Sequence, residues 1–440
     1  MTEANSPKRL NEDAEARATR GRLRSFGGGL TFGLLAEQTV LFAVPLLIYQ
    51  HSGSVTYSGA AFALEWIPAL LMYPFAGLMA DLLGGRFLFI NANLARAACL
   101  LITFAVCWML PSLTVPALMI NGALLSILMA PIRMAVEKTV PAMASGNQLS
   151  RTQALVQNIE LLAMAAGPGI AAGLAYLVGK LPLLAIAATA FIAAAICWKP
   201  FSVGPQRAAV DSKRVGRDLL LGWKLLLHNR PVIRLAVMNF SINIGYAVAL
   251  SANAYLITGR FGASDAVFGL MNACAGALGL VNLLLMPWLL SKWSINRVGV
   301  TGFGLLCAAL LCMGLANNVW VYVFAFLVFM AGDAIYNVFN RTQRVRAIES
   351  EHLGKVIGPF YLINSLSLPI GGIITAGFGK SSGIQPILLC VAVLLSVAGS
   401  ALLWETIRQF RERFEADALR LQATAADNVA DPAFAVDRSS

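Results

Sequence analysis

The chain is poor in charge, poor in histidine and without paired cysteines. Only 12% of its 440 residues are charged, about half the usual share of roughly a quarter. A disordered chain, which needs high charge and low hydrophobicity, is excluded. Histidine occurs at His51, His228 and His352 alone, with no HExxH-like spacing, which argues against a zinc enzyme. The cysteines Cys99, Cys107, Cys197, Cys274, Cys307, Cys312 and Cys390 lie in apolar stretches and form no CxxC pair. They read as small apolar fillers. No nucleophile–base or cofactor spacing supports an enzyme, and neither a metal nor a cofactor is expected. Gly379-Lys380-Ser381 ends like a phosphate loop, but Ile374 stands where its first glycine belongs, so no nucleotide site is expected. Residues 1–25 are polar and the first apolar run is too long for an h-region. No cleavable signal peptide is expected.

What is abundant is apolar. Apolar residues make up 58% of the chain and the mean hydropathy is +0.71, which excludes a water-soluble globule. Twelve apolar spans can be drawn: 26–49, 58–80, 87–110, 114–136, 153–178, 181–198, 232–256, 266–290, 297–315, 319–340, 356–378 and 384–404. Most reach the roughly 20 residues that cross a hydrocarbon core of about 30 Å. With the N-terminus placed in the cytoplasm, the 33 Lys and Arg fall on inner segments or inner span ends, except Lys180, Arg260, Lys380 and the deeply placed Arg96. This is the positive-inside pattern. It puts both termini in the cytoplasm and makes the net charge of +11 a topology signal. No nucleic-acid partner is expected, while inner loops are placed to touch anionic lipid.

The spans divide into a tail (1–25), a six-helix bundle (26–198), a central cytoplasmic loop (199–231), a second six-helix bundle (232–404) and a tail (405–440), expected to hold a short helix and then disorder. From Arg217 to His228 the loop sets Leu219, Leu220, Trp223 and Leu226 against Arg217, Lys224 and His228. That spacing predicts a helix on the inner membrane surface; a solvated linker is the alternative. The halves read as weak repeats about 210 residues apart: Gly59 aligns with Gly269, Gly167 with Gly377, and loop 81–86 with loop 291–296. Such paired bundles describe a transporter that rocks around a site between them.

Between spans 2 and 3 runs Gly77-Leu78-Met79-Ala80-Asp81-Leu82-Leu83-Gly84-Gly85-Arg86. It resembles the loop motif of the major facilitator superfamily, Gly-x-x-x-Asp-Arg-x-Gly-Arg-Arg. Gly77, Asp81, Gly84 and Arg86 match; Leu82 and Gly85 replace basic residues. The resemblance implies an all-helical membrane fold of twelve spans, a small-molecule cargo, proton coupling, and a monomer. It also implies a gate in which Asp81 pairs with Arg133 and caps a helix of the opposite half, where free N–H groups favour an acid. Phe42-Ala43-Val44-Pro45-Leu46, Gly53-Ser54, Ile67-Pro68, Asn93-Leu94-Ala95-Arg96-Ala97, Gly222-Trp223, Asn229-Arg230-Pro231 and Leu353-Gly354-Lys355-Val356 resemble one branch, that of macrolide and enterobactin-type siderophore exporters, which also holds lysophospholipid transporters. Gly167-Pro168-Gly169-x-x-x-Gly173 is similar to the Gly-Pro motif of antiporters, with Ala163, Ala171 and Ala172 departing from it. Gly169/Gly173 and Gly29/Gly33 have the spacing for close helix packing.

Charges at membrane depth are costly and mark function. At 1.5 Å per residue, Glu37 lies roughly 16 Å into span 1, Glu65 roughly 10 Å below the outer surface and Arg96 roughly 14 Å into span 3. Asp333 falls in the inner half of span 10, and Glu160 nearer the inner end of span 5. Glu37 is the first candidate for exchanging a proton or binding a cationic group, with Glu65, Arg96 and Asp333 beside it. Each has a packing alternative. Trp66 is a candidate wall of the cavity. Asn239, Asn243 and Tyr246 can share one face of span 7, lining the cavity or bonding helix to helix. The expectation is a bacterial-type inner-membrane exporter of a small amphiphile, a siderophore or a drug-like compound, driven by protons. Lysophospholipid flipping, proton-coupled uptake and a non-transporting scaffold or sensor are the alternatives.

Overall fold

A computed structural model of the chain describes residues 6–143, 147–199, 212–348 and 352–412. All of its regular elements are helical. The first half holds α1 (Ser6–Ser52), α2 (Val55–Leu83), α3 (Gly85–Met109), α4 (Thr114–Met143), α5 (Asn147–Val178) and α6 (Pro182–Trp198). After α7 (Ser212–His228), the second half holds α8 (Arg230–Ala254), α9 (Asp265–Lys292), α10 (Ile295–Leu315), α11 (Val319–Ala347), α12 (Leu353–Phe378) and α13 (Ile384–Leu394). A π-helical turn, Leu395–Gly399, carries the last helix on to residue 412. Among the described residues, eleven helices are long and apolar enough to cross a membrane, and Pro182–Trp198 is a shorter apolar one.

The packing repeats between the halves. α1–α5, α2–α4, α3–α4 and α3–α6 in the first half correspond to α8–α12, α9–α11, α10–α11 and α10–α13 in the second. Between the halves, α2 packs on α12 and α5 on α9, which are the same seam with the halves exchanged. Gly59 and Gly269, aligned in the sequence, sit on these two seams. A Cβ on Gly59 would meet the Gly372 carbonyl and the Ala376 amide of α12; one on Gly269 would meet Ala172 of α5. With no hydrophobic drive between helices in lipid, such close approach supplies the packing attraction. The second aligned pair behaves otherwise. Gly167 abuts Gln38 of α1, whereas nothing lies within 4 Å of a Cβ on Gly377.

The segment before the first span is not a separate tail: α1 begins at Ser6 and runs unbroken through the span. The segment expected as a surface helix is helical, as α7. Leu226 is buried, Arg217, Lys224 and His228 are exposed, and Gly222 lies against the carbonyl of Lys355 at the start of α12. Asn229 caps α8 by accepting from the Val232 N–H, while its amide donates to the Ala347 carbonyl at the end of α11 (2.9 Å). α7 is thereby fixed to the second half. The tail beyond residue 412 lies outside the described residues.

Candidate functional site

A cavity of about 350 Å³ lies between the halves, at the small end of ordinary ligand sites. Glu37, Val44 and Pro45 of α1, Glu65 and Trp66 of α2, Arg96 of α3 and Phe191 of α6 form its first-half wall. Ser126, Met129 and Arg133 of α4 extend it, and Tyr246, Leu250 and Ser251 of α8 with Leu368 of α12 close it from the second half. The wall is apolar around four charged side chains: Glu37, Glu65 and Arg96 together, and Arg133 at the end toward the termini.

Those charges are unequal. Arg96 Nη1 lies 3.2 Å from Glu37 Oε2. The Arg96 side chain is 5% exposed and that of Glu37 is 23%, so the carboxylate shows to the cavity and the guanidinium stands behind it. Arg96 also sits 5.0 Å from the centre of the Phe191 ring, a cation–π contact that strengthens where water is excluded. Glu65 lines the same cavity and makes no hydrogen bond or ion pair among the described residues. Beside it, Trp66 packs at 6.4 Å from Phe62.

The other candidates are elsewhere. Asp333 does not border the cavity; it accepts from Asn337 Nδ2 at 2.8 Å on its own helix. Asn239 is helix-to-helix glue: it donates to Asn364 Oδ1 (2.8 Å) and accepts from Asn340 Nδ2 (3.2 Å), joining α8, α11 and α12. Asn243 makes no hydrogen bond among the described residues and does not border the cavity. Of that stripe only Tyr246 lines it, its ring parallel to Phe329 at 6.1 Å. The Gly-Pro region divides too. Gly167 gives α1 and α5 their close approach, while Gly169 makes only an ordinary contact with Ala273 and nothing lies within 4 Å of a Cβ on Gly173. The expected Gly169/Gly173 packing pair is therefore absent there. In α1, Gly29 meets the Trp198 ring, while Gly33 makes ordinary contacts.

Among the described residues, the loop motif acts inside the first half. Gly84 takes φ +83°, a conformation glycine reaches without steric cost, and ends α2. The place of a Cβ on Gly85 is filled by the Ala135 carbonyl and the Thr139 hydroxyl of α4, so a basic side chain does not fit. Arg86 Nε donates to the Trp198 carbonyl at 3.3 Å, and Nη2 to the Lys199 carbonyl. A cation is thus placed at the end of α6, where carbonyls lack partners. The Trp198 indole N–H donates to the Phe26 carbonyl at 3.2 Å, and its ring stacks on Phe89 at 3.6 Å. This keystone, joining α1, α3 and α6, was missed in the sequence; a tryptophan at the basic end of a span was its signal. The side chains of Gly77 and Asp81 lie outside the described residues, and with them the expected Asp81–Arg133 pair.

On the face opposite the termini the halves touch. Lys180, after α5, pairs with Asp265 at the start of α9. Tyr49 meets Tyr255 edge-on at 5.6 Å, and Phe42 meets Phe268 at 5.7 Å. Toward the termini, the cavity reaches Arg133, which is exposed.

A sequence profile described as Major Facilitator Superfamily matches residues 27–338 and 235–424. Comparison with curated proteins returns no match. Among solved structures, a point mutant of the nucleoside transporter NupG superposes with a TM-score of 0.70 at 14% identity, covering 87% of this chain and 99% of its own. A bacterial homologue of the iron transporter ferroportin, in its inward-facing state, gives 0.70 at 14% identity, with 87% and 98% covered. A D-xylose-proton symporter gives 0.64 at 11%, with 85% and 96% covered. At these identities the structures share a fold, and the profile carries the family. Twelve helices in two exchanged halves, a charged cavity between them and that profile together make the chain a multi-pass membrane transporter of the major facilitator superfamily.

Proposed function

We propose that the protein exports a small amphiphilic molecule in exchange for protons, by alternating access of the cavity to the two faces. One observation carries the reading: two carboxyls and the Arg96 guanidinium share the apolar part of the cavity, with Arg133 at its exposed end, and among the described residues only one of the carboxyls is paired. With Glu65 protonated, the Glu37–Arg96 pair leaves the apolar part of the cavity, away from the exposed Arg133, neutral. With Glu65 ionised, that part holds one net negative charge in an apolar wall, a costly state. A proton or a polar group of the cargo relieves it, so the two compete for one place. Glu65 is the exchanging group in this reading; Glu37 and Arg96 set the charge balance around it. Trp66, Phe62 and Tyr246 offer aromatic faces to the apolar part of the cargo. The resemblance of the Asn93–Ala97 and Phe42–Leu46 segments to macrolide and siderophore exporters makes those compounds the first cargo classes to try.

The test is comparative profiling of cells lacking the protein, complemented with wild type or Glu65→Gln, grown with and without iron. Export predicts a compound that accumulates in deficient cells, disappears from their medium, and returns with wild type but not with Glu65→Gln. A compound depleted from the cells instead would turn the reading to uptake. Full restoration by Glu65→Gln would remove Glu65 as the exchanging group.

A further inference from the structure

Arg344 is 5% exposed and lies in the last turn of α11, on the face of the termini. Its guanidinium sits 4.2 Å from the centre of the Phe360 ring and 5.1 Å from that of Tyr361, both on α12. Nη2 reaches the Tyr361 hydroxyl at 3.5 Å, while Nε is buried with no hydrogen-bond partner. Arg341, one turn earlier and exposed, lies beside the same hydroxyl. Two cations thus converge on one phenol, and among the described residues neither meets a carboxylate.

That is an unbalanced arrangement. A buried charge is ordinarily paired, and two guanidiniums side by side repel. Stacking on Phe360 holds the Arg344 plane but supplies no counter-charge. The contrast with Arg96 is direct, since Arg96 is just as buried and has Glu37. The place is also specific. The inner end of α11 stands at the level of lipid headgroups, and Tyr361 is 47% exposed, so an incoming group has access. Paired guanidiniums match the geometry and charge of phosphate oxygens better than ammonium groups do.

We infer that Arg341, Arg344 and Tyr361 form a binding site for a phosphate group at the cytoplasmic end of the second half, separate from the central cavity. The phosphate belongs to an anionic lipid headgroup or to a free phosphomonoester, and the two sources separate by experiment. Basic pockets between helices on this side of a membrane suit such headgroups.

The full-length protein in detergent is titrated with phosphatidylglycerol and, separately, with glycerol phosphate, following the unfolding midpoint. Wild type is stabilised by one probe or both; Arg341→Gln weakens that binding at least tenfold, and Arg344→Lys, which keeps the charge and loses the planar fork, weakens it too. Response to phosphatidylglycerol alone assigns the site to lipid, and response to both assigns it to the phosphate group itself. Arg408→Gln, which removes an exposed cation already flanked by Glu405 and Glu412, leaves the affinity unchanged. Arg341 is exposed, so its variant keeps the midpoint of the unliganded protein. Equal binding by wild type and Arg341→Gln, or no binding of either probe by wild type, overturns the site.

Discussion

Glu37 and Arg96 form one ion pair whose two ends differ in burial, and the difference has an energetic sign. Removing one partner of a buried pair costs about 3–5 kcal/mol because the other charge is stranded. Arg96 is 5% exposed and Glu37 is 23%. Glu37→Ala strands the guanidinium where water does not reach. Arg96→Met strands a carboxylate that the cavity can hydrate. Glu37→Ala should therefore cost more, with Arg96→Met about 1–2 kcal/mol cheaper. Denaturant unfolding of both variants and of the double variant checks this; equal, additive losses would mean that the pair is not coupled. The carboxyls and the arginine were legible in the sequence, because charge at membrane depth is rare. Which of them pair was not, because periodicity gives a face of a helix and not its neighbour. Glu37 is the paired group, and Glu65 is the one without a partner among the described residues.

At the level of elements, the existence and order of the helices were readable, since length and hydropathy are properties of the chain alone, while their inner ends were not: α1 starts at Ser6 where the span was drawn from 26, and α4 and α11 run on to Met143 and Ala347. The loop between α2 and α3 shows where that legibility stops. Gly85 reads in the sequence as a lost basic residue. In the structure it is a contact surface, with the Ala135 carbonyl where a Cβ would stand. Backbone cannot retreat as a flexible side chain can. Gly85→Arg, which restores the usual motif residue, should therefore destabilise by about 1–3 kcal/mol, the range for overpacking. A lowered unfolding midpoint checks it, and an unchanged one would show that α3 and α4 have room to part. Trp198 is the corresponding omission: a span-end aromatic that is fully buried as the support of three helices.

For the whole molecule, contacts on the face opposite the termini join the two halves. The Lys180–Asp265 pair is partly exposed, at 17% and 32%. Such pairs contribute up to about 1 kcal/mol, little for folding, yet 1 kcal/mol is about a fivefold change in a two-state balance. If the halves part here in each cycle, a disulfide in place of the pair should stop transport. Oxidising Lys180→Cys/Asp265→Cys is expected to arrest it, and reduction to restore it; undiminished transport by the cross-linked protein would rule out separation at this point. The two-half architecture was legible from twelve spans and weak repeats. The latch was not, because Lys180 and Asp265 are far apart in sequence and meet only through packing.

α6 has a consequence for the lipid around the protein. Its 17 helical residues, Pro182–Trp198, rise about 26 Å at 1.5 Å each, short of a hydrocarbon core of about 30 Å. Packed against α1 and α3, the helix cannot tilt or slide to adjust, and Arg86 holds its end in place. The expected outcome is a bilayer that thins by a few ångströms beside the exposed Ile196. The first half thus carries a fixed thickness preference, favouring short-chain bilayers over long-chain ones.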